Sequence, residues 1–358
     1  MSLTFASLLF NGIMLGMVSV SVFGLWQKTG WSRFIGFLIA IYVAALVVSL
    51  LICLPDGRVL RAARLLCFGW FVHVPIFLAA AIYVSSNIWM RRISATLIAL
   101  TLLIVVYSFQ IEPYRLEVSQ FRVETSRLDR PLRVALLADF QTDHFRKYER
   151  ESLDAIVHAQ PDAIFMAGDY LQSTTQEGWE SLRDQMNDYL HKIQFAAPLG
   201  IYAVGGNTDF RRWPEIFSGC DVEMFRESRD IETELFRVTG LSVEDSFATD
   251  LNVGHDDGKL HICLGHAPDY SLSPNVQADL LLAGHTHGGQ VRLPLIGPIV
   301  TFSEVPRSWA AGLTNLSGGR TLVVSRGVGM ERRDAPRLRF MCRPQIVFID
   351  LVPVGVAN

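Results

Sequence analysis

The sequence predicts an α/β fold preceded by an α-helical membrane domain, because both composition and periodicity change near residue 112. Half of the 358 residues are hydrophobic, and a mean hydropathy of +0.28 is too high for an ordinary soluble enzyme. Nearly all of this excess lies before residue 112. Further on, short apolar segments alternate with amphipathic ones, as in parallel strands joined by helices. We expect a transmembrane helical domain at 1–112, a connecting strand segment at 113–130 and an α/β domain at 131–353.

Four apolar runs in the first part have the length of membrane spans. A span needs about 20 predominantly apolar residues, and the runs cover residues 3–26, 34–54, 65–89 and 93–110. The first run has neither a basic cluster at its start nor a clear cleavage site, which indicates a retained helix rather than a signal peptide. A buried soluble bundle is the alternative, disfavoured because the runs lack amphipathic alternation. Asn11 and His73 lie inside the runs, where a helix–helix hydrogen bond is the favoured role.

Four spans place both termini on the same side of the membrane, but the loop charges decide only weakly which side that is. The positive-inside rule compares the first and third loops with the second loop and the segment after the last span. The first and third loops carry Lys28, Arg33, Arg91 and Arg92. The second loop and the segment after the last span carry Arg58, Arg61, Arg64, Arg115 and Arg122. Counting those after the fourth span favours a cytoplasmic second domain. The five cysteines lack disulfide or metal spacing, which favours a reducing compartment, and the net charge of -3 argues against a nucleic-acid partner.

The second part alternates between strands and helices. Residues 113–130 alternate apolar and polar side chains, which is the period of a strand that joins a sheet edge. Continuous apolar runs then predict strands at 132–137, 163–166, 200–204, 260–264, 278–282, 321–325 and 345–351. Amphipathic helices are predicted at 148–159 and 177–193. Strand–helix–strand repetition implies parallel pairing with helices on the outside of the sheet.

Polar residues of metal-ligand type follow five of these strands. They are Asp139, Asp169, Asn207, His266 and the pair His285 and His287, the pair lying in Ala-Gly-His-Thr-His-Gly-Gly-Gln at 283–290. Each is a weak signal alone, since an Asp or Asn after glycine is commonly a turn residue. Sites in α/β sheets lie beyond the carboxyl ends of the strands. The ordered series therefore predicts one site to which all five segments contribute.

This series resembles the calcineurin-like metallophosphoesterase superfamily, whose pattern is Asp-x-His, Gly-Asp, Gly-Asn-His-Asp/Glu, a lone His and Gly-His-x-His. The resemblance covers about residues 131–353 and implies a four-layer sandwich of two mixed sheets flanked by helices. It also implies two divalent metal ions, one held by Asp139 and His287, the other by Asn207, His266 and His285, with Asp169 bridging. Such a metal pair can hold both the attacking and the leaving oxygen of a phosphate ester. Mixed oxygen and imidazole ligands suit manganese, iron or zinc.

Two positions depart from the family pattern. Gln141 stands where the first histidine is expected; its carboxamide oxygen is a weaker ligand than imidazole, and His144 is the alternative if the loop folds back. Thr208 stands where the family often has the histidine that protonates the leaving group, a role that contributes about 10²–10⁴-fold. Threonine cannot give a proton near neutral pH. Membrane-associated lipid pyrophosphatases also lack this histidine, so its absence does not imply an inactive protein.

Three residues are candidates for contact with the substrate. Thr208 and Arg211 lie in or directly after the Asn207 loop, and Arg326 follows a strand, so each could reach a phosphate. A solvated charged turn is the alternative for Arg211. Residues 291–313 are rich in proline and glycine and predict a long loop beside the site.

The sequence as a whole most resembles a membrane-anchored metallophosphoesterase of bacterial type, in the inner (plasma) membrane. We expect a dinuclear-metal hydrolase that cleaves a phosphodiester or pyrophosphate bond in a lipid-linked substrate, similar to UDP-2,3-diacylglucosamine. One alternative is a catalytically degenerate domain that binds metal or a partner, which the retained ligands disfavour. The other is a transporter or sensor in which the spans act, which the scarcity of polar residues within the spans disfavours.

Overall fold

The computed structural model describes residues 1–254 and 258–355, which form two compact units. The helical unit comprises Met1–Ile111 and Glu331–Arg337, and the α/β unit comprises Glu112–Met330 and the residues from Leu338 onwards. The division after Ile111 lies where the composition changes. The segment Glu331–Arg337 departs from the expectation, because the sequence pattern assigns it to the second domain whereas it belongs to the helical unit.

The helical unit contains four continuous segments that are long and apolar enough to cross a membrane. They are Leu3–Gln27, Trp31–Asp56, Val59–Val84 and Ile88–Tyr114. Their α-helices are α1 (Leu3–Gln27), α2 (Trp31–Cys53), α3 (Val59–Phe68), α4 (Val74–Val84) and α5 (Ile88–Val106), with a π-helical turn at Gly69–His73 between α3 and α4. The break after Val84 falls inside the apolar run 65–89, because hydropathy alone does not mark the turn at residues 85–87. The third and fourth segments therefore begin earlier than the apolar runs.

Two buried polar contacts fix the helical unit. Asn11 Oδ1 of α1 lies 2.8 Å from His73 Nε2 of the π-helical turn, which is the expected helix–helix hydrogen bond. Arg61 of α3 is 3% exposed and donates from Nε and Nη2 to Asp334 Oδ2 at 3.1 and 2.8 Å. Arg64 donates to the carbonyl of Arg333 at 2.8 Å. The α3 arginines thus bind the segment Glu331–Arg337 as an integral part of this unit.

The first sheet of the α/β unit has six strands in the order β1-β14-β2-β3-β4-β5. Their bounds are β1 Glu117–Thr125, β2 Leu132–Leu137, β3 Ala163–Met166, β4 Ile201–Val204, β5 Val222–Phe225 and β14 Gln345–Pro353. β14 is antiparallel to β2, and the other neighbours are parallel. Helices α6 (Lys147–His158) and α7 (Gln176–Lys192) connect β2 to β3 and β3 to β4. β1 occupies an edge, as its alternation predicts.

The second sheet also has six strands, in the order β12-β13-β9-β8-β7-β6. Their bounds are β6 Arg229–Glu232, β7 Phe236–Gly240, β8 Leu260–Leu264, β9 Leu280–Ala283, β12 Gly312–Asn315 and β13 Thr321–Val324. The four central strands are parallel and the two edge strands antiparallel to their neighbours. A short helix α8 (Val243–Ser246) follows β7, and a separate hairpin pairs β10 (Arg292–Leu293) with β11 (Gly297–Pro298).

The two mixed sheets pack face to face over a shared core. Strand β2 shows why the central strands are mainly apolar on both faces: Val134 and Leu136 enter the core between the sheets, whereas Ala135 and Leu137 enter the core beneath α6 and α7. The outer face of the second sheet is covered by connecting segments, including Tyr270. The predicted α/β architecture of two mixed sheets flanked by helices is confirmed. Parallel strands from both sheets end close together, and these ends position the candidate site.

Candidate metal centre

Six polar side chains of the ordered series follow the carboxyl ends of parallel strands. Asp139 follows β2, Asp169 follows β3, Asn207 follows β4, His266 follows β8, and His285 and His287 follow β9. Strands β2, β3 and β4 share one direction, as do β8 and β9, so the ends of each set lie at one sheet edge. Ligand atoms of Asp139, Asp169 and His266 all lie within 4.8 Å of one another. The site therefore combines residues from both sheets.

The surroundings of His266 fit a cation site. Its Nδ1 lies 2.8 Å from the carbonyl oxygen of Ala167, which can only accept, so Nδ1 donates to it. Its Nε2 faces Asn207 Oδ1 at 2.7 Å and Asp169 Oδ1 at 3.7 Å. An imidazole nitrogen, an amide oxygen and a carboxylate oxygen therefore converge at one point, and all three are atoms that bind metal ions.

Asp139 and His285 are held together through the backbone. The His285 N–H lies 3.0 Å from each oxygen of the Asp139 carboxylate. The His285 ring donates from Nε2 to the Phe302 carbonyl at 3.0 Å, which leaves Nδ1 as its acceptor atom. Burial and the neighbouring His266 ring lower the pKa of His285 to about 4. His285 is therefore neutral near pH 7, the form in which histidine binds metals.

His287 presents a buried nitrogen without a hydrogen bond. The side chain is 4% exposed, and its Nε2 has no partner among the residues that the structure describes. Burial first, and then the nearby Arg339 guanidinium, lower the pKa of His287 well below its usual value. An unpartnered buried polar atom is costly unless a ligand satisfies it. The donor set of this centre therefore fits a metal through His287 as well.

Arg339 supports His287 from the side of the protein interior. It is fully buried and donates to the carbonyls of Arg326 at 2.7 Å, Gly329 at 2.9 Å and Cys342 at 3.2 Å. Its Nη2 also lies 3.5 Å from His287 Nδ1. The sequence does not mark this residue, because it lies outside every motif and acts through carbonyl groups.

Asp209 fixes the turn that carries Asp169. Its carboxylate accepts the N–H groups of Asp169, Tyr170 and Gly206, each at 2.8 Å. Burial and the Asp169 carboxylate raise the pKa of Asp209 to about 8. The N–H of Thr208 donates to Asp169 Oδ1 at 2.8 Å and orients that oxygen. Asp209 was not predicted, although it is the acidic residue that ends Gly-Gly-Asn-Thr-Asp.

Glycines allow the ligand turns to approach one another. A Cβ atom at Gly206 would lie 2.1 Å from Asp169 Oδ1, far inside contact distance. At Gly284 it would lie 2.6 Å from Ala138 Cβ and 2.8 Å from Asp139 Oδ2. The glycines that precede Asn207 and His285 are thus required by space.

Gln141 and His144 have different surroundings. Gln141 is fully buried, and its N–H donates to the Asp169 carbonyl at 2.7 Å, so its backbone lies beside the site. His144 Nδ1 lies 2.7 Å from Asp143 Oδ1, and its Nε2 lies 3.5 Å from Glu149 Oε1. The carboxylates of its own segment thus engage both nitrogens of His144.

The three candidate substrate residues also differ. Thr208 lies at the site, and its Oγ1 is buried with no hydrogen-bond partner among the described residues. Arg211 is exposed on the loop beyond Asp209. The Arg326 guanidinium instead pairs with Glu117 of β1, from Nη2 to Oε1 at 2.6 Å. Only Thr208 of the three is therefore fixed at the centre by the contacts described here.

Comparisons with known proteins point to one family. The calcineurin-like phosphoesterase family model matches residues 132–289. The chain is 27% identical over 265 residues to the uncharacterized metallophosphoesterase YkuE of Bacillus subtilis, covering 68% of this chain and 88% of that protein. It is 28% identical over 232 residues to the phosphodiesterase YaeI of Escherichia coli, covering 62% and 83%. A solved dimetal phosphatase from Danio rerio is 13% identical with a TM-score of 0.34, covering 59% of this chain and 91% of that one.

The matched region contains every residue of the ordered series. It begins at Leu132, the first residue of β2, and ends two residues beyond His287. The family implies divalent metal ions, and the converging ligand atoms at His266 and the unpartnered nitrogen of His287 fit them. Residues 132–289 therefore carry a calcineurin-like phosphoesterase domain, which supports a hydrolase acting on phosphoric esters, and the chain also has four apolar helices long enough to span a membrane.

Proposed function

We propose that this phosphoesterase cleaves a phosphodiester or pyrophosphate bond in a lipid-linked substrate with the aid of two divalent metal ions. The convergence of His266 Nε2 with Asn207 Oδ1 and Asp169 Oδ1 carries the metal part of the proposal. The four apolar helices support the lipid part, because they keep the domain where lipid-linked substrates are concentrated. We also propose a bacterial plasma membrane, with the domain on its cytoplasmic side.

The proposed ligands form two sets that share Asp169. Asp139, Gln141 and His287 would hold one ion, and Asn207, His266 and His285 the other. Bound ions of this kind supply charge stabilisation and an activated water. Their oxygen and imidazole donors suit manganese, iron or zinc.

The chain's own groups prepare this chemistry. The N–H of Thr208 and the carboxylate of Asp209 hold Asp169 in place, from either side of its turn. The lowered pKa of His285 keeps that ring neutral, so no proton competes for its ligand atom near pH 7. We further propose that the unpartnered Thr208 Oγ1 contacts the substrate, with the exposed Arg211 and then Arg326 as secondary candidates.

Thr208 limits which bond can be cleaved. Its hydroxyl is too weak an acid to protonate the leaving group near neutral pH, so the leaving oxygen must depart as an anion. A simple alkoxide leaves poorly in this way, whereas a phosphate monoester or a phenolate leaves readily. A pyrophosphate bond, as in a lipid similar to UDP-2,3-diacylglucosamine, meets this demand. The name phosphodiesterase borne by the relative YaeI is consistent with cleavage of a diester rather than a monoester.

The test compares leaving groups with the detergent-solubilised full chain and added manganese. A nucleoside-diphosphate lipid and an aryl phosphodiester should turn over, an alkyl phosphodiester should turn over slowly, and chelator should stop all three. Thr208→His should raise alkyl turnover by about tenfold or more, since a positioned acid contributes about 10²–10⁴-fold. Thr174→His, on an exposed threonine, is the matched control. Equal turnover of alkyl and aryl esters without gain from Thr208→His would exclude the leaving-group argument. Absence of all turnover would favour the degenerate metal-binding alternative.

A further inference from the structure

Residues 291–302, here called the apolar hairpin, concentrate exposed apolar side chains beside the metal centre. The exposed members are Leu293, Leu295, Ile296, Ile299, Val300 and Phe302, with exposed fractions from 36% to 108%. Elsewhere in the described part of the α/β unit, exposed large apolar side chains lie singly. Scattered apolar residues are normal on a protein surface, whereas a contiguous group marks an interaction site.

The tip of the hairpin carries an apolar residue that is fully exposed to solvent and adopts a left-handed backbone conformation. The two-residue strands β10 and β11 pair across Pro294, Leu295 and Ile296. Leu295 is completely exposed and has a φ of +67°, a left-handed conformation that glycine or asparagine adopts more readily. Turn tips in water usually carry small polar residues. Folding of the domain in water does not account for a leucine here.

Both ends of the hairpin contact the metal centre. At its start, Arg292 donates to the carbonyl of Gly288 at 3.2 Å, directly after His287. At its end, the Phe302 carbonyl accepts from His285 Nε2 at 3.0 Å. A surface that binds the tip is therefore connected to two of the proposed ligands through very few residues.

We propose that the tip of the apolar hairpin inserts into the hydrocarbon edge of the bilayer that faces the catalytic domain. Residues 293–302 contain no charged side chain, so they fit acyl chains rather than a headgroup. The chain tethers the α/β unit close to the membrane surface along the sequence, since only two residues separate the last apolar segment, Ile88–Tyr114, from β1 at Glu117. Arg292 directly precedes the uncharged stretch, as a cationic residue often does at an anionic lipid surface, and Glu304 follows it. This insertion does not depend on the identity of the substrate.

The experiment labels the tip of the full-length protein in vesicles of phosphatidylcholine and phosphatidylglycerol. Leu295→Cys carries an environment-sensitive fluorophore, in a background where the partly exposed Cys67 and Cys220 are replaced by serine. Asp184→Cys on α7, whose side chain is 64% exposed, is the control. The label at 295 should show blue-shifted emission, quenching by spin-labelled acyl chains and protection from aqueous iodide, and the label at 184 the reverse. A second label through Ile296→Cys covers the case in which the first variant folds poorly.

Two results would overturn the insertion. The first is iodide quenching at 295 and 296 as strong as at 184, which would place the tip in water. The second is a blue shift that increases with protein density but shows no quenching by spin-labelled lipid, which would assign the hairpin to contact between copies. Since neither readout requires turnover, failure of the proposed substrate class leaves this test valid.

Discussion

Five of the candidate ligand residues adopt a left-handed backbone conformation. The φ values are +46° at Asp139, +36° at Gln141, +56° at Asp169, +67° at His285 and +47° at His287. Such conformations cost about 1–3 kcal/mol each in residues other than glycine and cluster at functional sites. Asp209 holds the turn at Asp169 by accepting the N–H groups of Asp169 and Tyr170, and Arg339 lies 3.5 Å from the His287 ring. The protein thus constrains at least the Asp169 turn through its own hydrogen bonds.

The bridging role of Asp169 gives the first prediction at this scale. Asp169→Ala removes a ligand proposed to serve both ions. Metal affinity and turnover should therefore both fall by far more than the roughly 10–100-fold lost when a residue that only orients a metal ligand is replaced. Metal content after dialysis and turnover of an aryl phosphodiester measure this. Asp184→Ala, on the exposed face of α7, should behave as the unmodified protein. Substantial turnover by metal-free Asp169→Ala protein would refute the two-metal mechanism.

The carboxamide at Gln141 gives the second prediction. Gln141→His supplies a stronger ligand, so manganese should be retained at lower free concentration; Gln141→Ala should lose one of the two ions. Metal titration of the purified protein measures both. His144→Gln serves as the comparison, because Asp143 and Glu149 already engage that ring. Loss of an ion from His144→Gln, with none from Gln141→Ala, would reverse the assignment.

Sequence reasoning identified the candidate ligands but not the residues that support them. Asp139, Asp169 and His266 stand in short motifs after strands, and each has a chemistry that the motif makes recognisable. Asp209 and Arg339 contact backbone groups, and any residue type can supply a backbone N–H or carbonyl. Arg339 reaches the centre from a segment more than 50 residues beyond His287 along the chain. No local pattern records such a contact.

At the scale of elements, the share of apolar residues in a strand explains which strands could be predicted. β2, β3 and β8 match the predicted ranges residue for residue, because both faces of these strands are largely buried and each contains at most one polar residue. β5, β6, β7 and β12 were not predicted, nor were the two-residue strands β10 and β11. β5, β6 and β12 are four residues long, lie at sheet edges and contain partly exposed side chains. β7 is a buried central strand, but its sequence Phe-Arg-Val-Thr-Gly contains no continuous apolar run. Short half-exposed strands carry too few apolar residues to stand out from loops.

The close approach between two strand ends gives a prediction for the glycine after β4. Gly206→Ala would place a methyl group 2.1 Å from Asp169 Oδ1, so either that carboxylate or the β4 turn must shift. Turnover and metal binding should fall, as they do when a ligand loses its orientation. Gly30→Ala, where an added Cβ meets no atom within 4 Å, is the control. Unchanged metal affinity in Gly206→Ala would show that Asp169 is not a shared ligand held in this position.

For the whole molecule, the four apolar segments predict the topology. An even number of spans places Met1 and the end of β14 on the same side of the membrane. Reporter fusions at both ends, or labelling of introduced cysteines by an impermeant reagent, measure the side directly. We expect both ends in the cytoplasm. Opposite sides would mean that one of the segments, Leu3–Gln27 to Ile88–Tyr114, does not cross.

The chain path has a consequence for dissecting the protein. The helical unit is a split structure, assembled from residues 1–111 and a seven-residue piece that returns from the far end of the sequence. A single proteolytic cut after Ile111 would therefore leave the two fragments associated. Arg61 of the N-terminal fragment would still donate to Asp334 of the C-terminal fragment. A shortened protein that starts at Glu112 would carry an orphaned peptide whose partners have been deleted. Removing the spans thus takes away the packing of residues 331–337, only two positions before the arginine that supports His287.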